Sequence, residues 1–224
     1  MSDFIGLAAA FIAIPLIIAF AQLLLHAGIV SAPVARKLIH VGVSHWWLLA
    51  VALHTTTVYA AIGPITFIVV NGIVYRFHML AAMEDPDHRR NLGTIYFPIS
   101  LLVLVLLCFG GPVPLYAGGI GVLVMGYGDG LASIVGTRWG KGRFELFGST
   151  KSLSGSASMF LASIVVTTAW VITAHPRGLE PAFVVTAALV TAFVATGLEL
   201  ATPWGLDNLS VPIGTTLFFF VAFV

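Results

Sequence analysis

Long apolar runs, broken at short intervals by small polar clusters, organise this chain from end to end. A helix that crosses a bilayer core needs roughly 20 mostly apolar residues, with a range of about 17–25. Eight runs approach that length: residues 4–25, 38–53, 58–75, 95–109, 113–135, 159–174, 182–200 and 209–224. The second and fourth are short and are expected to extend into their polar flanks. Nothing recurs at a fixed short period, so neither a solenoid nor a heptad coiled coil is expected. The pattern predicts an all-α, polytopic transmembrane helix bundle of about eight spans, built as a single integral membrane domain over residues 1–224.

Composition agrees with the pattern. The 224 residues are 59% hydrophobic and 8% charged, with a mean hydropathy of +1.04. Soluble domains carry about 25% charged residues, so the solvent expected here is lipid. No polar segment is long enough to hold a separate core. Met1-Ser2-Asp3 leads into the first apolar run with no basic segment, so that run is expected to be a retained span and not a cleaved signal. Cys108 is the single cysteine and lies in an apolar run. It has no intrachain disulfide partner and reads as a small buried residue.

The charges alternate from connection to connection. Arg36 and Lys37 follow the first span, and Arg76, Arg89 and Arg90 follow the third. Arg138, Lys141, Arg143 and Lys151 follow the fifth, while the other connections hold only Arg177. The positive-inside rule places the basic connections in the cytoplasm and both termini on the opposite side. The same alternation brings residues 202–208 to the cytoplasmic face, so the unusual polar residues gather at one interface.

Several constellations there carry candidate chemistry. Arg36, Lys37 and His40 share one helix face at i, i+3 and i+4 spacing, with Ser44 continuing the row. Pro33 suits the start of that helix. The Arg-Lys pair also suits simple interfacial anchoring, but His40 lies deeper and favours phosphate or proton handling. Arg90-Asn91-Leu92-Gly93-Thr94 joins base, amide, glycine and hydroxyl ahead of a helix, where backbone N–H groups bind anions or serve an ordinary cap. Gly128, Ala132, Gly136 and Gly140 recur every four residues, a small-residue stripe for close helix approach. Beside it runs a polar row, Asp129, Ser133 and Thr137. Asp129 is the residue that packing explains least, because a mid-span Asp costs about 2.5–3.5 kcal/mol on insertion scales. It is expected to bind a metal or a substrate.

Gly148-Ser149-Thr150-Lys151-Ser152 resembles a P-loop only superficially. Thr150 stands where that pattern needs glycine, and no upstream strand is expected. Lys151 still suits a phosphate as a point charge, with Ser152 assisting, and Gly155, Ser156 and Ala157 add little bulk after it. Glu199 closes the seventh span, and Asp207-Asn208 precedes the eighth, where Asp207 also suits a cap. Asp129, Glu199 and Asp207 thus place three carboxylates on one face. Mg²⁺ takes one or two carboxylates plus substrate phosphates, so the set fits a Mg-nucleotide site. His26, His45, His54 and His175 show no metal-ligand spacing. Trp46, Trp47, Trp139 and Trp204 suit packing or interfacial belts. No basic stripe interleaves with aromatics, which argues against nucleic-acid binding.

Four motifs follow one another along the chain: Arg36-Lys37-x-x-His40, Gly128-Asp129-x-x-Ala132-Ser133-x-x-Gly136, Lys151-Ser152-x-x-Gly155-Ser156 and Asp207-Asn208-x-x-Val211-Pro212. Their order and context resemble the polyprenol kinase family, which includes phytol, farnesol and dolichol kinases and the CTP-dependent diacylglycerol kinase. The resemblance runs from the second span onward. It implies transfer of the γ-phosphate of a nucleoside triphosphate, commonly CTP, to the hydroxyl of a lipid alcohol in the membrane. It matches Asp129 and Lys151 to the family's nucleotide motifs, and the catalytic residues expected here are Asp129, Lys151 and His40, with His40 or a carboxylate accepting the alcohol's proton. Arg36, Lys37, Arg90, Asn91, Gly93, Gly128, Gly136, Lys141, Ser152, Gly155 and Asn208 are the expected nucleotide and phosphate ligands. Asp129, Glu199 and Asp207 are the expected Mg²⁺ ligands.

Two other readings are weighed beside it. A cytidylyltransferase making a CDP-lipid is also multi-span and acidic, but Asp207-Asn208-Leu209-Ser210 lacks the arginine and second aspartate of that family's terminal signature. A transporter or lipid-binding scaffold would account for intramembrane Asp129 and Glu199. It would also be expected to show inverted repeats and midplane polar residues, and the chain shows neither.

Overall fold

The computed structural model describes residues 1–83, 92–174 and 180–224. The described residues are almost entirely helical. α1 (Ser2–His26), α2 (Ala32–Ser44), α3 (Trp46–Leu53), α4 (Thr57–Phe77) and α5 (Gly93–Phe109) form the first half, with a short 3₁₀ turn at Ala81–Met83. The second half holds α6 (Leu115–Leu123), a π-helical segment (Val124–Asp129), α7 (Gly130–Trp139), a hairpin of β1 (Arg143–Leu146) and β2 (Ser149–Ser152), α8 (Leu153–Ala174), α9 (Pro181–Ala201) and α10 (Asp207–Phe223).

Five of these helices are long and apolar enough to cross a membrane: α1, α4, the continuous 115–139 helix, α8 and α9. α5 and α10 are apolar but shorter, at 17 residues each. The outward faces carry large apolar side chains such as Ile12, Leu16, Phe20, Leu161, Val165, Phe193 and Val221, as expected of helices whose solvent is lipid. The 115–139 helix is the centre of the bundle: its apolar window is 72% buried, against 22–39% for the other four long helices. Its own Ile120 and Met125 pack with Trp47, Leu104, Met159 and Phe219 of the surrounding helices in one core.

The second expected span is not one helix. α2 starts at Ala32, with Pro33 in its first turn, and breaks at His45. The His45 ring Nδ1 donates to the Val41 carbonyl (2.8 Å), and its Nε2 accepts from the Tyr127 hydroxyl (2.9 Å). Arg36 and Lys37 therefore sit a full turn inside α2, and both are buried. The fifth expected span is also irregular, because its π segment widens the helix just before Asp129. Gly126 in that segment faces α2 so closely that a Cβ would lie 2.4 Å from Ser44 Oγ. Segments of this kind insert a residue into the helix and re-aim the side chains of the next turn.

The hairpin corrects the expectation that no strand precedes Gly148. β1 and β2 pair antiparallel in the register Phe144↔Lys151 and Leu146↔Ser149. Phe147 (φ 49°) and Gly148 (φ 76°) make the two-residue turn, the backbone twist that tight hairpins prefer. β2 then runs directly into α8. At the other end of the bundle Asp3 tethers the start of α1, accepting from the Thr55 backbone N–H and hydroxyl (both 2.8 Å). Burial holds the neighbouring His54 imidazole below its ordinary pKa, with Asp3 opposing that shift.

Helix approach in the core can be tested at two glycines. In α6, a Cβ at Gly121 would lie 2.1 Å from the Pro212 carbonyl of α10, whereas one at Gly197 of α9 would meet nothing within 4 Å. Gly121→Ala is therefore expected to lower the thermal midpoint of the detergent-solubilised protein markedly. Gly197→Ala is expected to leave it unchanged or to raise it, since Ala is favoured over Gly in a helix by about 0.8–1.0 kcal/mol.

Candidate active site

Polar residues from both halves of the chain converge on one cavity of about 290 Å³. α2 contributes Arg36, Lys37 and His40, and the start of α5 contributes Gly93 and Thr94. Asp129 enters from the π segment, followed by Ser133, Gly136 and Thr137 of α7. The hairpin adds Arg143 and Ser149 to Ser152, and α8 adds Gly155 and Ser156. Glu199, Thr202, Trp204, Gly205, Asp207 and Asn208 close it from the α9–α10 corner. Four cations and three carboxylates thus share one cavity.

Two buried ion pairs fix these charges. Lys37 Nζ donates to Asp129 Oδ2, linking α2 to the central helix. Lys151 Nζ reaches Glu199 Oε1 (2.5 Å) and also donates to the Glu199 backbone carbonyl (2.9 Å), linking the hairpin to α9. Taking such charges out of water costs several kcal/mol per ion, which the partner and further hydrogen bonds must offset.

Three helix starts open on the same cavity: α5 at Gly93, α8 after Ser152 and α10 at Asp207. Unpaired N–H groups and the helix dipole make each start electropositive. The Gly155 N–H is taken by Ser152 Oγ (3.1 Å), and the Asn208 N–H by Asp207 Oδ1 (3.0 Å). Gly93 has a steric role there: a Cβ would lie 2.8 Å from Asn208 Nδ2. Asn208 Nδ2 donates to the Gly205 carbonyl (3.0 Å) and to Asp207 Oδ1 (2.9 Å), while its Oδ1 is buried without a hydrogen-bond partner among the described residues. His40 Nδ1 is in the same position, with the imidazole stacked on Phe97 at 5.3 Å. Buried polar atoms normally have partners, and both of these belong to residues of the cavity lining.

Most residues singled out in the sequence meet here. Asp129, His40, Lys151, Arg36, Lys37, Gly93, Gly136, Ser152, Gly155, Asn208, Glu199 and Asp207 all line the cavity. Gly128 and Lys141 do not. Gly128 packs on α8, where a Cβ would lie 2.6 Å from Met159 Sδ. Lys141 sits in the α7–β1 turn, its N–H donating to Ser154 Oγ. Arg90 and Asn91 lie outside the described residues. Thr202 and Trp204 are site residues that the sequence does not single out. Trp204 reads there as a packing residue, and its left-handed backbone (φ 57°) beside Gly205 has no sequence signal.

Among the described residues no three His, Cys, Asp or Glu side chains form a protein-only metal cage. The three carboxylates are instead distributed around the cavity, two of them on lysines. That donor set fits a cation that takes its remaining oxygens from phosphates, as Mg²⁺ does.

The described residues form a helical bundle with membrane-length apolar helices, one short hairpin and a polar, mixed-charge cavity at one end. The chain is 35% identical over 221 residues to the phytol kinase of Synechocystis, covering 95% of this chain and 88% of that one. It is 28% identical to a probable chloroplastic phytol kinase 2 of Glycine max over 87% of this chain and 67% of the other. A probable phytol kinase 1 from the same plant is 34% identical over 58% of this chain and 44% of its own length. No family model matches the chain, and no solved structure does. The chain belongs to the phytol kinase family of alcohol phosphotransferases.

The ion pairs give a stability test. Lys151→Met leaves Glu199 buried without its counter-charge, a change that costs about 3–5 kcal/mol where such pairs have been broken. A clear drop in thermal midpoint is expected. Lys151→Met/Glu199→Met is expected to recover most of it, and an additive loss in the double variant would show that the pair is not coupled.

Proposed function

We propose that this protein transfers the γ-phosphate of a nucleoside triphosphate, CTP by its family resemblance, to the hydroxyl of an isoprenoid alcohol such as phytol. The observation that carries the reading is the convergence of Arg36, Lys37, Arg143 and Lys151 with three helix starts on one cavity. Phosphoryl transfer is chiefly positioning and charge neutralisation, and this cavity offers both. The names of the relatives favour the same chemistry over cytidylyl transfer or transport.

In this proposal Lys151, Arg36 and Arg143 neutralise phosphate oxygens, with Ser152, the start of α5 and the start of α8 donating further hydrogen bonds. Lys37 holds Asp129 toward the cavity and shares the phosphate charge. Asp129, with Asp207 or Glu199, would hold Mg²⁺, which would bind phosphate oxygens and offset their charge. The alcohol oxygen attacks the γ-phosphorus, and the bond from that phosphorus to the bridging oxygen breaks. The nucleoside diphosphate leaves with the electron pair. His40 takes the alcohol proton through a ring nitrogen, as a positioned general base.

We also place the cavity on the cytoplasmic face of a single eight-span domain. Taking α2–α3 and α6–α7 each as one bent span, the helices alternate eight times, with both termini opposite the cavity. Arg36, Lys37, Arg138, Lys141, Arg143 and Lys151 all belong to the cavity end, which the positive-inside rule assigns to the cytoplasm.

The test supplies purified protein with Mg²⁺, phytol, phosphatidic acid and CTP labelled at the α- or the γ-phosphate. γ-label in phytyl phosphate is the expected result, and α-label in phosphatidic acid would replace the kinase with a cytidylyltransferase. Asp129→Asn is expected to reduce transfer by about 100-fold or more, the scale on which single electrostatic groups act in catalysis. Near-normal transfer by that variant would remove Asp129 from the chemistry.

A further inference from the structure

A second, apolar cavity adjoins the polar one, with lining residues in common. The second is a narrow crevice of about 40 Å³ between α1, α2, α4 and α5, and Arg36, His40 and Thr94 line both spaces. Beyond those residues its polar lining is confined to Asn71, whose side chain donates to the Thr94 carbonyl (2.7 Å). The rest is apolar, with Ile14 from α1, Val43 from α2, Phe67 from α4, Met83 from the 3₁₀ turn, and Phe97 and Leu101 from α5. From Thr94 to Leu101 is seven residues of helix, about 10 Å at 1.5 Å per residue.

We infer that this crevice is the binding site of the acceptor's hydrocarbon chain, with the hydroxyl held at His40; the inference rests on the kinase reading above. An alcohol with an apolar tail needs a polar end that meets the phosphate cavity and an apolar path away from it. The crevice has that polarity. His40 stands at the junction, buried, with Nδ1 unpartnered among the described residues. A hydroxyl arriving there supplies the missing partner and faces the triphosphate cavity at once.

Volume alone would point elsewhere. A wider apolar groove of about 660 Å³ lies along α6, α7 and α8, lined by Leu48, Tyr127, Leu161, Val165 and Trp170 among others. It shares no lining residue with the polar cavity. The polar pair on its wall, His45 and Tyr127, is already hydrogen-bonded. A chain seated there has no route for its hydroxyl to the phosphates through a shared wall, so continuity decides for the crevice. The crevice is narrow: as it stands, about 40 Å³ holds only the few carbons next to the hydroxyl, so the rest of a C20 tail requires its walls to part.

The direct test is photolabelling with a C20 isoprenoid alcohol bearing a diazirine on its tail, with adducts mapped by mass spectrometry. Adducts are expected on the crevice walls, at Ile14, Phe67 or Leu101. Absence of crevice adducts, with or without labelling of Leu161 and Val165 in the groove, overturns the assignment. Labelling does not need phosphate transfer, so crevice adducts on a protein that phosphorylates no alcohol would sink the kinase reading and leave the site standing. A kinetic arm uses Leu101→Trp to fill the crevice and Val165→Trp to fill the groove. Leu101→Trp is expected to raise the KM for phytol by about 10-fold or more with the nucleotide KM unchanged, the signature of lost acceptor binding alone. Val165→Trp is expected to change neither. If Leu101→Trp does not fold, Ile14→Ala widens the crevice and is expected to shift preference toward bulkier alcohols. An unchanged phytol KM in folded Leu101→Trp, or an unchanged preference in Ile14→Ala, overturns the assignment.

Discussion

Charge at membrane depth must be paired, and the arrangement of this bundle depends on how its pairs are made. Lys37 and Asp129 are 92 residues apart in the chain, and Lys151 and Glu199 are 48 apart. Each pair joins two elements that no connecting loop holds together. Neither member is stable alone in an apolar interior, because an unpartnered buried ion costs more than the pair as a whole gains. The two bridges therefore do more than add stability. They select the packing in which α2 lies on the central helix and the hairpin lies on α9. In that packing the remaining charges, Arg36, Arg143 and Asp207, fall around one cavity.

Backbone irregularity has its origin in the same demand. A straight α2–α3 and a straight α6–α7 would present uninterrupted apolar faces to each other. Instead α2 breaks at His45, and the central helix widens over Val124–Asp129. The two irregularities meet: His45 bonds to Tyr127, and Gly126 admits Ser44. The closeness of these contacts lets Lys37 reach Asp129. A π segment immediately before a buried carboxylate is the placement found where a helix is bent to function.

Much of this architecture is legible in the sequence. The apolar runs specify the helical class and mark where the helices lie, because length and hydropathy are imposed by the bilayer, but they miss the starts of α2 and α8 by six residues each and the division of α2 from α3. The costliest residues, Asp129 above all, stand out for the same reason: lipid makes a carboxylate conspicuous. Other features leave no such trace. The break at His45 and the π segment arise from packing between distant helices. The hairpin leaves only a four-residue alternation, Arg143-Phe144-Glu145-Leu146, too short to stand out as a strand. Gly128 and Lys141 mislead in an instructive way. Both belong to motifs rich in candidate ligands, but helical phase turns Gly128 toward Met159, and the α7–β1 turn carries Lys141 out of the cavity lining. A motif marks a neighbourhood, and the helix rotation decides which of its members look inward.

Placing the phosphate cavity at one end of the bundle also solves a problem of phases. The donor is water-soluble and polyanionic, while an isoprenoid acceptor partitions into hydrocarbon. Chemistry between them requires a boundary where both can be desolvated together. His40 occupies such a boundary. It is 5% exposed, backed by Phe97 on its apolar side and flanked along α2 by Arg36 and Lys37 on its polar side. Three residues of one helical face thus line the polar cavity, and two of them, Arg36 and His40, also line the apolar crevice. In the kinase reading proposed above, Arg36 and Lys37 face the ligand that comes from water, and His40, about one turn further along α2, meets the one that comes from the bilayer.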